Sequence, residues 1–107
     1  MSYDISFQVK VEGVDKWVEV ADYNITWNVY KIIYHSSGWD IRDGDNGTAD
    51  FIGLLIKNGI EALETHPNEY KQYEASNGWG TVKGTLNFFK RLAESCQEYP
   101  YARVFVS

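Results

Sequence analysis

In "ISFQVKVE" the apolar residues Ile5, Phe7, Val9 and Val11 alternate with Ser6, Gln8, Lys10 and Glu12. A period of two predicts a strand buried on one face only. "EGVDK" supplies a turn, and "KWVEVA" returns with Val18 and Val20 on one face and Trp17 and Glu19 on the other. The pair reads as a β-hairpin. From Asn24 the spacing becomes helical, with Asn24 or Thr26 as N-cap and Ser36-Ser37-Gly38 as the stop, so a first helix is expected over about Trp27 to His35.

"WDIRDGDNGT" then reads as a loop, whose Thr48 caps a second helix with a core stripe of Ile52, Leu55, Ile56, Gly59 and Leu63. That helix must stop before His66-Pro67, because proline restricts the residue before it. Pro67 opens a short helix, "PNEYKQY". A further long helix, capped by Thr81, carries Val82, Leu86, Phe89, Ala93 and Cys96 at steps of four and three. Lys83, Lys90, Arg91 and Glu94 lie on its solvated side. "ARVFVS" closes the chain as a strand with Ala102, Val104 and Val106 inward.

Strands at both ends with helices between them imply one α+β domain over residues 1–107. The expected architecture has two layers. A three-stranded, mostly antiparallel sheet, made of the N-terminal hairpin and the C-terminal strand with strand one central, carries three main helices on one face.

With 107 residues, 44% of them hydrophobic, the chain has enough apolar material for one core. No apolar stretch approaches the roughly 18 residues that span a bilayer, and the N-terminus lacks a basic region followed by an apolar run. The expectation is therefore a cytoplasmic protein with no membrane contact. The single cysteine, Cys96, excludes an internal disulfide and fits a reducing compartment. A net charge of −5 disfavours direct nucleic-acid binding. Residues 1–50 hold nine acids against four bases, so an electrostatic partner should be a basic protein.

Three chemical patterns fail on spacing. Gly78, Gly80 and Gly84 form G-x-G-x-x-x-G after a short helix, whereas a dinucleotide site needs G-x-G-x-x-G after a strand. The acidic loop of Asp40, Asp43, Asp45, Asn46 and Asp50 is not an EF-hand: counted from Asp43, position six is Thr48 and position twelve is Leu54. Cys96 continues an apolar stripe, so with His35 or His66 it makes no nucleophile–base pair. No catalytic residue, cofactor or metal is expected.

Two features remain. Trp79 sits between Gly78 and Gly80, and its first reading is a peg that packs back near the start of the last helix, with Trp79→Ala costing about 3–5 kcal/mol if the ring is buried. A partner contact or a ligand clamp are the alternatives. On the first helix, Val29, Ile32 and Ile33 centre roughly 140° away from Trp27, Tyr30 and Tyr34, giving two apolar faces. One face meets the sheet, and the other is available for packing within the chain or for a partner. Trp17 and Phe105 raise the same question from the open sheet face.

The segments "NITWNVYKII" and "YKQYEASNGWGTVKGTLNFFK" resemble those of a loosely defined group of small, acidic, uncharacterised proteins encoded by phages and bacterial mobile elements. The resemblance covers most of the chain, and the group has no assigned catalytic residues to carry over. It implies a context in which such proteins often inhibit host defence, including anti-CRISPR proteins that occupy basic nucleic-acid grooves.

The expectation that follows is a non-enzymatic binding module that presents Trp27, Tyr30, Tyr34, Trp39, Asp40, Asp43, Asp45 and Trp79 to a basic protein partner, as an inhibitor encoded by a mobile element. Two other classes stay open. One is a small-ligand-binding protein or small enzyme using the Trp79 loop, and the other is a structural, self-associating protein such as a homodimer.

Overall fold

A computed structural model describes residues 1–43 and 45–107, without the side chains of Asp45 and Asn46. The N-terminal alternation forms β1, Ser2–Lys10, and the return strand is β2, Trp17–Thr26. The hairpin is as expected, but its second strand continues through Asn24. Thr26 is the residue that caps, its hydroxyl accepting from the Asn28 amide at 3.4 Å.

A bulge accounts for the longer strand. Phe7 pairs with Ala21 while Gln8 pairs with Glu19, leaving Val20 as an extra residue. Before it the inward positions are even-numbered, as at Val18; after it they are odd, Ala21, Tyr23 and Ile25. A bulge adds one residue and so exchanges the faces of everything that follows. Without it Tyr23 would point away from the helices.

The last strand, β4 (Arg103–Val106), pairs antiparallel with β1. A fourth strand, β3 (Asp45–Thr48), pairs antiparallel with β4, so the order is β2-β1-β4-β3 and the sheet is an open antiparallel one. This corrects the three-stranded expectation and the reading of residues 39–48 as a loop. "DNGT" has no alternation to reveal a strand; it is held by backbone pairing at the sheet edge. The first expected strand is interior, as anticipated.

Among the described residues four helices occupy the middle of the chain: α1 (Tyr30–Ser37), α2 (Ala49–Thr65), the short α3 (Pro67–Tyr70) and α4 (Val82–Glu98). A single 3-10 turn, Trp27–Val29, leads into α1, and Gly38 ends it with φ 78°. The left-handed conformation is what a glycine C-cap provides. Thr48 holds the N-cap position of α2 but does not cap through its side chain. The first α2 amides are satisfied from the other end of the chain instead, Ala49 donating to the Ala102 carbonyl at 2.8 Å and Asp50 to that of Pro100 at 3.0 Å.

The core joins Ile5, Phe7 and Val104 of the sheet to Val29, Ile32, Ile33, Ile52, Ile56, Leu63, Phe88, Phe89 and Leu92 of the helical layer. On α4 the buried surface is wider than the expected stripe, with Thr85, Phe88, Leu92 and Ser95 buried as well. The helix has two neighbours. Ser95 hydrogen-bonds Tyr23 of β2, whereas Phe89 and Cys96 meet α2.

Three helices converge at Gly59. A methyl group there would stand 2.6 Å from Phe89 Cε2 and 2.9 Å from Ser37 Cβ. Alanine ordinarily gains about 1 kcal/mol over glycine inside a helix, but overpacking a rigid core costs about 1–3 kcal/mol. An approach as close as 2.6 Å puts the overpacking cost at about 2–3 kcal/mol, so we expect Gly59→Ala to lower stability by about 1–2 kcal/mol in a urea titration. A variant as stable as the parent would show that Phe89 and Ser37 move aside without cost.

Candidate aromatic interaction surface

The inward face of α1 carries Ile32 and Ile33, so its other side turns tyrosines outward. Tyr30 and Tyr34, one turn apart, stack with ring centroids 6.1 Å apart. Tyr34 meets the edge of His35 at 5.5 Å, and His35 lies parallel to Tyr73 at 4.4 Å. Tyr73 belongs to the 3-10 turn Lys71–Tyr73 after α3, so this stack joins two separate elements. At the other end, Trp27 rests on Tyr3 of β1 at 5.8 Å.

Arg42 completes the series from above. Its guanidinium sits 4.1 Å over the Tyr30 ring, within cation–π range. Asp40 holds it there, accepting from Nε at 3.0 Å and from Nη2 at 3.1 Å, while also accepting from the Arg42 amide at 3.1 Å. These bonds draw the Asp40 carboxyl below the usual carboxylate range and raise Arg42. Burial beside them raises the Tyr3 hydroxyl, against the opposing charge of Arg42. Stacked rings and a clamped guanidinium lose little freedom on binding, which is the main cost of ordering an interface.

Trp27, Tyr30 and Tyr34 stand as the helical spacing predicts, with Trp27 47% exposed. Trp39 does not join them. It is 2% exposed and belongs to the core together with Ile41, its amide donating to Ser37 Oγ at 3.1 Å. Both core residues were hidden in a polar stretch too short to show periodicity. Asp40 faces the surface but is engaged by Arg42, so it is not a free acid. Asp43 is exposed at the end of the 3-10 turn Ile41–Asp43 and lines a groove of about 300 Å³ with Phe51 and Leu55. The Asp45 side chain lies outside the described residues.

Trp79 overturns the peg reading, because its side chain is 70% exposed. Other groups do that work. The Glu74 carboxylate accepts from the Val82 amide at 2.7 Å, and Thr81 Oγ1 from the Gly84 amide at 2.9 Å. Gly80, at φ 138°, packs so closely that a Cβ would fall 2.9 Å from Asn28 Cβ. That contact sets the Trp79 loop against the turn carrying Trp27. Glu74 escapes sequence reading because it caps a helix eight residues away, beyond any local capping pattern. Tyr3, Arg42 and Tyr73 were missed for the same reason: only the fold brings them to α1.

Elsewhere the chemistry is sparse. Cys96 lines a groove between α2 and α4 that contains no histidine, and burial pushes its thiol up to about 12. His35 is held in the aromatic stack. Among the described residues no three histidine, cysteine, aspartate or glutamate side chains gather as metal ligands, and no helix is long and apolar enough to cross a membrane.

Two measurements check these placements. Trp79→Ala should change stability by less than about 0.5 kcal/mol, as at an ordinary surface site; a loss of several kcal/mol in denaturant titration would restore the peg. Cys96 should resist iodoacetamide in the folded protein at pH 8 and react once unfolded, because the thiolate is the reactive form. Rapid labelling of the native thiol would contradict its burial.

No protein-family model matches the chain, and no curated protein or solved structure matches it either.

Proposed function

We propose that the chain is a non-enzymatic binding module that docks a basic protein partner on the outward face of α1. The observation that carries this reading is the continuous series of touching rings, Tyr30 stacked on Tyr34, Tyr34 edge-on to His35 and His35 stacked on Tyr73, with Arg42 clamped over one end. Tryptophan, tyrosine and arginine are the residues that most often dominate interface energies. Trp27 and Trp79 extend the surface at its rim. The net charge of −5, with Asp43 exposed in the turn that also carries Arg42, favours a basic partner through long-range steering. The resemblance to proteins of mobile elements makes basic nucleic-acid-binding proteins of bacterial defence the first partners to try, in which case the module acts as an inhibitor.

Capture of partners from a bacterial lysate, identified by mass spectrometry, opens the test, and rate measurements with the captured partner complete it. Tyr34→Ala and Trp27→Ala should speed dissociation by about 5- to 30-fold, because desolvated aromatic anchors hold a formed complex. Asp43→Asn should slow association and flatten its dependence on salt, since steering is screened beyond about 8–10 Å. Folded variants that bind like the parent would place the partner on another surface.

A further inference from the structure

A second surface, on α2, has its own logic. Helix α2 lies between α1 and α4, and Ile52, Ile56, Gly59 and Leu63 face the core. At about 100° per residue, residue 54 stands nearly opposite that buried set, as does Glu61. A polar residue belongs there. The chain has Leu54, 65% exposed, with Phe51 exposed one turn earlier. Beside Leu54, between α2 and α4, runs a groove of about 410 Å³ whose floor includes the small residues Gly53 and Ala93.

Asp50 and Lys57 bracket Leu54 on the same stripe. Seven residues apart, they stand about 10.5 Å apart along the helix and at nearly the same angle around it. Both are exposed, and among the described residues neither takes part in an ion pair within 4.0 Å. The Thr48 hydroxyl and the Phe51 amide hydrogen-bond the Asp50 carboxylate and keep it ionised.

We propose that this face of α2 is a self-association surface, on which a second copy of the chain lays its own α2 antiparallel about a two-fold axis near Gly53 and Leu54. The charge order selects that occupant. The midpoint between residues 50 and 57 falls between residues 53 and 54, so an antiparallel copy brings the partner's Lys57 to Asp50 and the partner's Asp50 to Lys57. Both ion pairs form at once around a leucine centre, the self-complementarity that a two-fold interface requires. A parallel copy would instead set aspartate against aspartate and lysine against lysine. The Leu54 side chain of each copy lies against the other's groove, where Gly53 is closed from below by Cys96 and Ala93 adds only a methyl group to the lining. This surface is centred on other residues than the α1 face, meeting it only at the groove that Phe51 shares with Asp43, and does not depend on it.

Sedimentation equilibrium of the intact chain tests the proposal over concentrations from about 1 µM to about 0.5 mM, the range in which modest interfaces dissociate. The parent should shift from monomer to dimer within that range. Leu54→Asp, at an exposed site, should keep the native circular dichroism and weaken the dimer at least about 10-fold. Lys57→Asp and Asp50→Lys should each weaken self-association, since each sets like charges together. An equimolar mixture of these two variants should form a heterodimer at least as tight as the parent dimer, because every facing pair is then opposite in sign. A parent that stays monomeric throughout overturns the proposal. So does a dimer that survives Leu54→Asp, or a mixture of the two folded charge variants that does not associate.

Discussion

The close approach of three helices at Gly59 is the constraint from which the arrangement of the helical layer follows. Phe89 of α4 and Ser37 of α1 both come within a methyl group's reach of the α2 backbone there. Only a residue without a Cβ allows that, and interiors packed like organic crystals leave no slack to absorb one. With α1 and α4 held against α2 on this contact, Ile32, Ile33, Phe88 and Leu92 are committed to the core above Ile5, Phe7 and Val104. A smaller version occurs at Gly53, where a Cβ would meet Cys96 Cβ at 3.1 Å.

Committing one side of α1 to the core leaves the tyrosines of its other side outward, and neighbouring segments then make a surface of them. Asp40 holds Arg42 over Tyr30, while Tyr73 closes on His35 from the turn after α3. Gly80 presses the Trp79 loop against Asn28. The Tyr73–His35 and Gly80–Asn28 contacts join elements far apart in the chain, while Asp40 and Arg42 come from the turn just after α1, so the surface is fixed by the fold. Such pre-shaping lowers the entropy lost on binding.

Acidity is distributed less simply than the net charge implies. Asp40 is neutralised by Arg42, and Asp50 faces the same side of α2 as Lys57. The excess of negative charge therefore acts at long range, whereas each candidate surface has its own local arrangement of charge. Both expose large side chains: the rings of α1, and Leu54 with Phe51 on α2.

The proline marked the helical turn at Pro67, and local periodicity by itself determined the hairpin, both long helices, the inward face of the C-terminal strand and the α+β class. These follow from spacing of two or 3.6 along one element, which needs no knowledge of neighbours. It also placed Tyr30 and Tyr34 opposite Ile32 and Ile33. Tertiary structure alone decided the rest. The edge strand Asp45–Thr48 exists because β4 offers it backbone partners, and Trp39 and Ile41 are buried because α1, α2 and the sheet close over a stretch with no period of its own. Trp79 is exposed, and the Val82 amide is satisfied instead by Glu74, eight residues from the helix it caps. Contacts between residues distant in sequence leave no periodic trace, so the partners of Tyr30, His35 and Gly59 became visible only when the chain was folded.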